Sequence, residues 1–288
     1  MTVAMITGAN SGIGRQAAVD LAVKGWQVYG SMRGLEKGEK LAAMAADAGV
    51  EVTPVVCDVS DTDSVNAAVA EVTAAAGRID VMVNNAGIGG NGVVEDTPIE
   101  TYEEVFNVDL LGVIRCAQAV LPQMRERGDG CIVNVSSIAG RIAAIAQSPY
   151  VTAKWALEGL SEGLAQEVAA HNIRVAIIEP GIVRTAIMAK NTDAPHDSGA
   201  YEQAYRRLFA VYAKGLQTPG HPSEVADVIY EAVTTDSPKL RWTCGWGGPE
   251  LQDRPKVSDE DWVALGAIED DAEYAARFNE LFGLDISS

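Results

Sequence analysis

The chain has 288 residues, 48% apolar and 22% charged, a globular balance that excludes intrinsic disorder, collagen-like and low-complexity organisation and supplies a large core. Its formal net charge of −18 argues against nucleic acid or an anionic membrane as a partner, because both would be repelled. Four cysteines without a Cys-x-x-Cys and three scattered histidines predict neither a disulfide framework nor a metal site, and with no apolar run of ~18 residues and no signal-peptide pattern the expectation is a cytoplasmic protein without a membrane span.

Taken in order, Val3-Ala4-Met5-Ile6 reads as a short buried strand that ends in the glycine-rich stretch from Thr7 to Gly14. A helix follows, with Ile13, Ala17 and Leu21 on one stripe and Gly25 closing it. Residues 27–32 read as strand two, 35–48 as a helix, and 51–57 as strand three. Asp61 or Thr62 caps the next helix, where Val65, Ala68, Val69 and Val72 recur at helical spacing. Strand four is expected over 79–83, a long helix over 101–127, strand five over 131–135, a helix over 148–170 and strand six over 173–178. Such alternation predicts parallel βαβ units in a doubly wound, mostly parallel Rossmann-type α/β sheet with helices on both faces. Beyond Gly181 the pattern weakens to a helical lid over about 186–216, a helix from Pro222 to Thr234 and a short strand near Arg241 to Cys244. Residues 251–288 carry ten acidic and three basic side chains. Their aromatics, Trp262, Tyr274, Phe278 and Phe282 among them, predict an acidic extension docked on the body rather than a disordered tail. One domain over 1–250 with an appended 251–288 is the expected organisation.

The turn Thr7-Gly8-Ala9-Asn10-Ser11-Gly12-Ile13-Gly14 joins a strand to a helix. Glycines there let the backbone approach a pyrophosphate, whose charge the helix N-terminus stabilises. The spacing Gly8-x-x-x-Gly12-x-Gly14 departs from G-x-G-x-x-G and lacks the Lys-Ser/Thr ending of a P-loop, so triphosphate hydrolysis is disfavoured. Gly159-Leu160-Ser161-Glu162-Gly163 fits the nucleophile elbow of α/β-hydrolases, but that motif needs a strand–turn–helix context. Here it falls inside a helical stripe, its glycines are read as permitting close helix packing, and no hydrolase is expected.

With Asp58-Val59 after strand three, Asn84-Asn85-Ala86-Gly87 after strand four, Ser136-Ser137 after strand five, Tyr150-x-x-x-Lys154, and Pro180-Gly181 after strand six, the chain resembles the short-chain dehydrogenase/reductase family over about residues 1–245. The resemblance implies an oxidoreductase that interconverts a carbonyl compound and its alcohol with a nicotinamide cofactor. Catalysis would rest on Ser137, Tyr150 and Lys154, with Asn107 as the fourth member, anchoring a water in a proton relay. Cofactor contacts would come from Thr7, Gly8, Asn10, Ser11, Gly12, Ile13, Gly14, Arg33, Asp58, Val59, Asn85, Ala86, Gly87, Tyr150, Lys154, Pro180, Gly181, Val183 and Thr185. Tyr150 and Lys154 are four apart, hence on one helix face. An unperturbed phenol ionises near ~10, and an adjacent ammonium favours phenolate. Tyr150 is therefore expected to act as general acid in reduction and general base in oxidation. Ser137 would polarise the substrate oxygen, and Lys154 would also hold the ribose. A catalytically silent nucleotide-sensing protein on the same fold is the alternative, as is an NAD-dependent alcohol dehydrogenase.

Cofactor choice is read at the end of strand two, where an acidic residue favours NAD and repels the 2′-phosphate of NADP. Met32 stands at that position, Arg33 follows it, and no carboxylate appears before Glu36. A guanidinium suits a phosphate, with Ser11 adding a hydroxyl, so NADP(H) is expected over NAD(H). In the lid, Tyr201, Tyr205, Leu208, Phe209 and Tyr212 form a helical stripe that is read first as a helix face packed on the core; where it faces the pocket instead, it favours an apolar or aromatic carbonyl substrate, with Phe209 contacting it. Assembly as a homodimer or homotetramer through helices 101–127 and 148–170 is implied by the resemblance.

Overall fold

The computed structural model describes residues 1–185, 187–188 and 199–287. Strands β1 (Val3–Ile6), β2 (Gln27–Met32), β3 (Val52–Val56), β4 (Val81–Asn84), β5 (Gly130–Val135), β6 (Ile173–Pro180) and β7 (Arg241–Cys244) form one seven-stranded sheet in the order β3-β2-β1-β4-β5-β6-β7. Every pairing is parallel, which is the doubly wound Rossmann-type topology. The order reverses between β1 and β4, so a crevice opens at their C-terminal ends, where such sheets bind ligands. Pro54 is tolerated because β3 lies at the sheet edge. Central strands β1, β4 and β5 are buried at every residue, which is why they read as continuous apolar runs.

Helices α1 (Gly12–Val23), α2 (Glu39–Asp47) and α8 (Pro222–Thr234) cover one face, where Ala17, Ala18, Leu21, Val225 and Ile229 pack with Ile6, Val83 and Val133. Helices α3 (Thr62–Ala76), α5 (Gly112–Arg127) and α6 (Ser148–Ala169) contribute to the other, with Val65, Val72, Cys116, Val120 and Leu164 against Met5, Met82 and Ile132. Asp61 caps α3 by accepting from the N–H groups of Asp63 and Ser64.

Two departures from the sequence expectation have local causes. The segment expected as one helix over 35–48 begins as a 3₁₀ turn, Leu35–Gly38, and becomes α-helical only at Glu39; Gly34 and Gly38 weaken helix propensity at its start. The expected helix over 101–127 is α4 (Ile99–Phe106), a π-helical turn over Asn107–Leu111, and then α5. Gly112 permits the close approach at this junction, because a Cβ there would stand 3.0 Å from Val59. The stretch Ile99–Arg127 is also long and apolar enough by composition to cross a membrane, although Asp109 and Arg115 interrupt its apolar run; Val113, Cys116, Val120 and Met124 of it are buried in this fold.

Beyond the sheet, α7 (Glu202–Gly215) is followed, after β7, by α9 (Asp259–Gly266) and α10 (Asp271–Phe282). Many acidic residues of this region serve as helix starts. Ser258 caps α9, whose first turn carries Asp259, Glu260 and Asp261, and Asp270 caps α10, ahead of Asp271 and Glu273; negative charge is favourable at both places. Leu265, Tyr274, Phe278, Phe282, Leu284 and Ile286 share a core cluster with Ile138 and Ile142, immediately beyond β5. Arg207 of α7 ties this unit down: its Nε donates to Asp271 at 2.9 Å, and its guanidinium lies 4.1 Å from the Tyr274 ring centroid.

Candidate active site

The glycine turn is held by main-chain geometry. Gly8 (φ 68°) and Gly12 (φ 52°) adopt left-handed conformations that side chains disfavour. A Cβ on Gly14 would come within 2.6 Å of the Gly8 carbonyl oxygen, so this helix start closes only around glycine. Thr7 works behind the turn: its hydroxyl accepts from the N–H groups of Asn85 and Ala86 at 3.0 Å each, and the Asn85 amide donates back to the Thr7 carbonyl at 2.8 Å. The ends of β1 and β4 are thereby locked together. Ser11 is the N-cap residue of α1, yet its hydroxyl makes no capping bond, and it faces the cleft with Gly8, Asn10, Gly12 and Ile13. A helix N-terminus with a free hydroxyl and glycines that admit close approach fits a pyrophosphate.

One cleft of about 660 Å³ runs from this turn across the strand ends to α9 and α10. Along its floor Asp58, Val59, Asn85, Ala86 and Gly87 are followed by Ser137, Tyr150, Lys154, Pro180, Gly181, Val183 and Thr185. Thr7 and Gly14 act from behind and do not line it. At the nucleotide end the Asp58 carboxylate accepts from the Ser60 hydroxyl at 2.6 Å and the Ser60 N–H at 3.0 Å. These bonds, against a partial burial cost and with the charges of Arg33 and Lys37 nearby, hold the carboxyl below its ordinary range. Met32 is buried at the end of β2, while Arg33 and Lys37 line the cleft and carry no ion pair among the described residues.

At the other end of the floor Ser137 begins a 3₁₀ turn, Ile138–Gly140. Its hydroxyl oxygen accepts from Ala139 N–H at 3.1 Å, whereas its bond to the Pro180 carbonyl is long at 3.4 Å and therefore weak, leaving the hydroxyl proton free for another acceptor. Tyr150 and Lys154 sit one turn apart on α6 and both face the cleft. The Lys154 ammonium is buried, donates to the Val135 carbonyl at 3.3 Å, and lies 5.4 Å from the Tyr150 ring centroid. Burial opposes its charge, but the Asp109 carboxylate, Tyr150 and Glu158 outweigh that and push its pKa up.

Asn107, expected beside Lys154, is not brought to the site. Its side-chain oxygen accepts from Arg115 Nη2 at 2.8 Å. The residue that reaches Lys154 is Asp109, whose Oδ2 lies 3.1 Å from Nζ and whose Oδ1 accepts from Ile88 N–H at 2.8 Å. Helix phase carried the signal, since Val105, Asp109, Gly112 and Cys116 recur at the spacing of the buried face and Asn107 does not. Lys37 was also missed; the 3₁₀ turn brings it to the same mouth as Arg33.

The substrate end is apolar. Ile142, Leu208, Val211, Trp246, Trp262 and Leu265 line it. Of the segment expected as a lid, residues 186 and 189–198 lie outside the described residues. Within α7 the stripe divides: Leu208, Val211 and Tyr212 face the cleft, whereas Phe209 and Tyr205 do not. Tyr205 accepts from Val93 N–H, Tyr212 bonds Asn91 and Gln147, and Phe209 packs beside Tyr212. Phe209, expected to meet substrate where the stripe faces the pocket, does not line the cleft, whereas Leu208 and Val211 do. Ser161, the centre of the hydrolase-like motif, is buried inside α6, accepting from Asn134 and donating to the Leu157 carbonyl. A Cβ on Gly159 or Gly163 would meet nothing within 4 Å, so these glycines serve no helix packing within the chain. The four cysteines are buried and unpaired, and no cluster of metal-ligating side chains occurs among the described residues.

A phenol beside a buried ammonium, a hydroxyl at a strand tip and a glycine cradle on one cleft form a proton-transfer site next to a nucleotide site. The sequence model of a family described as short chain dehydrogenase matches residues 2–196. An uncharacterized oxidoreductase of Bacillus subtilis is 38% identical over 252 residues, 85% of this chain and 89% of its own. Mouse 17-beta-hydroxysteroid dehydrogenase type 1 is 37% identical over 256 residues, 84% of this chain and 73% of its own. The crystal structure of a short-chain dehydrogenase from Streptomyces avermitilis, 33% identical, superposes with a TM-score of 0.78 over 93% of this chain and 98% of that one. Related structures carry either cofactor: actinorhodin polyketide ketoreductase with NADPH (31% identity, TM-score 0.73, 84% and 95% of the chains) and a Burkholderia phymatum enzyme with NAD (25%, 0.74, 84% and 88%).

Proposed function

The chain belongs to the short-chain dehydrogenase family, and on that premise we propose that this oxidoreductase prefers NADP(H) and interconverts a bulky, largely apolar ketone or aldehyde with its alcohol. The observation that carries the reading is the continuity of one cleft, with two basic side chains at the adenosine end that have no ion pair among the described residues, and an apolar wall beyond Tyr150. The bound nicotinamide supplies or accepts the hydride; this chain's residues do the rest. The turn from Gly8 to Gly14 and the free Ser11 hydroxyl bind the pyrophosphate. Arg33 and Lys37 meet the 2′-phosphate, a contact in which a planar guanidinium and a point charge complement each other. Lys154 holds the ribose hydroxyls. Ser137 donates its loosely engaged hydroxyl proton to the substrate oxygen, stabilising charge that develops there. Tyr150 gives a proton to that oxygen in reduction and takes it back in oxidation.

The apolar wall selects the substrate by area. Each methylene removed from water is worth about 0.8 kcal/mol, so a large apolar carbonyl compound gains most from Leu208, Val211 and Trp262. Turnover of aromatic and alicyclic ketones against small ones, with NADPH and with NADH, tests the proposal. A cofactor-binding protein that turns over no member of a broad carbonyl panel would instead fit the nucleotide-sensing alternative. Assembly through α4, α5 and α6 belongs to the same proposal, supported by Trp155 and Leu111, which are 48% and 42% exposed. Trp155→Glu should lower the mass measured by light scattering, and an unchanged mass counts against that face.

A further inference from the structure

Asp109 is a carboxylate at the site that the expected chemistry leaves without a task. It is 1% exposed, and its carboxylate stands 3.1 Å from the Lys154 ammonium. Accepting the assignment of Tyr150 as the proton-exchanging group, we propose that Asp109 is a positioning residue that fixes Lys154 in place and offsets its charge, and so sets the pH at which Tyr150 exchanges its proton.

The fold builds this contact deliberately into one place. The π-helical turn Asn107–Leu111 carries Asp109 on its inner side, a geometry frequent at functional sites. Ile88 N–H holds one carboxylate oxygen at 2.8 Å, which aims the other at Lys154. Gly87 leaves room for it, since a Cβ there would stand 3.0 Å from Asp109 Oδ2. The carboxylate thus has a fixed orientation on main chain and, among the described residues, a single cationic partner.

The electrostatic consequence follows in sign. A lone ammonium beside a phenol favours phenolate, whereas an ammonium paired with a carboxylate presents a dipole whose near and far charges partly cancel. Removing the carboxylate charge while keeping the side chain's shape should therefore let Tyr150 lose its proton at lower pH. In that variant Tyr150 and Glu158 still favour the ammonium, against the burial that opposes its charge. The other titratable groups facing this site are Glu158 on α6, Glu179 on β6 behind it, and Tyr212 on α7. Burial pushes Glu179 up to about 7, so it titrates below the phenol range in every variant.

The test uses the whole protein, and its main readout needs no substrate. Phenolate absorbance is titrated in wild type, Asp109→Asn and Asp109→Glu, each against its own Tyr150→Phe counterpart, so that the difference isolates Tyr150 from the other tyrosines. The Asn variant should move the Tyr150 midpoint down by about one pH unit or more, as expected for loss of a charge within a few ångströms, and the Glu variant should stay near wild type. The acid limb of the alcohol-oxidation rate should move with it. A midpoint that is unchanged or higher in folded Asp109→Asn overturns the proposal. Asp109→Ser serves in its place should the Asn variant not fold. If Tyr150→Phe retains full turnover, the assignment of Tyr150 fails; if Tyr150→Phe is inactive while the midpoint ignores Asp109, only the role of Asp109 fails.

Discussion

At the glycine-turn end the cleft is lined by left-handed Gly8 and Gly12, backed by the crowded Gly14 and the strand-end clamp between Thr7 and Asn85. At the far end it is walled by side chains that arrive from distant parts of the chain, Ile142 after β5, Leu208 and Val211 on α7, and Trp262 and Leu265 on α9. The first construction tolerates almost no substitution, because a Cβ collides with backbone. The second is a packed apolar surface, where volume can be exchanged without loss of the fold. One half is thus fixed by the geometry of a constant ligand, and the other is free to be shaped around a substrate.

Between the two halves lies the chemistry, and there the largest effect is expected. Tyr150→Phe keeps the ring and removes the transferable proton, so kcat should fall by ~10²- to 10⁴-fold while the Kd for NADPH stays within about twofold. Steady-state rates together with fluorescence titration check both. The far wall gives the second effect. Phe278 is buried between Tyr274 and Phe282, with ring centroids 6.2 and 4.8 Å away. Phe278→Ala should cost about 3–5 kcal/mol of stability in urea unfolding and raise KM for bulky ketones. Unaltered NADPH affinity in the folded variant would mark the two halves as separable; lost affinity would join them.

The same contrast decides what could be read from the sequence. Elements of the nucleotide half are short-range: a strand, its glycine turn and the following helix lie within thirty residues, so the alternation from β1 to α3 was legible from spacing, and the strand-end motifs from their resemblance to the family. Asn107 was misplaced because a linear motif match ignores helix phase, and the π-helical turn carries Asp109 rather than Asn107 to Lys154. Lys37 escaped because the expected helix over 35–48 hid a 3₁₀ turn. The substrate wall was least legible. Hydrophobic periodicity marked Tyr205, Leu208, Phe209 and Tyr212 as one stripe, but which of them meet the cleft depends on partners as distant in sequence as Asn91, Val93 and Trp246. Nor does the acidic composition of residues 251–287 show that many of its carboxylates cap and start helices while its aromatics pack on Ile138 and Ile142.

Two smaller effects sharpen the comparison. Arg33→Ala removes a charged donor from the nucleotide end, and a hydrogen bond to a charged group is worth ~1.5–3 kcal/mol, or roughly 10- to 150-fold. NADPH affinity should fall within that range and NADH affinity should hardly change; adding Lys37→Ala should deepen the loss for NADPH alone. Val211→Ala removes two carbons from the substrate wall, which corresponds to a rise in KM of up to about 10-fold for an aromatic ketone, with little effect on a small ketone or on either cofactor. An equal rise for large and small ketones would show that Val211 does not contact substrate.

The central claim is a carbonyl-interconverting enzyme whose cleft selects NADP(H) at one end and a bulky apolar substrate at the other. It is tested most directly by kcat/KM of the wild-type protein for NADPH and NADH, each measured with an aromatic ketone and with acetone. With the proposed phosphate contact of Arg33, NADPH should exceed NADH by at least about 10-fold, and the aromatic ketone should exceed acetone with either cofactor. Equal values for the two cofactors, or a preference for acetone, would contradict it.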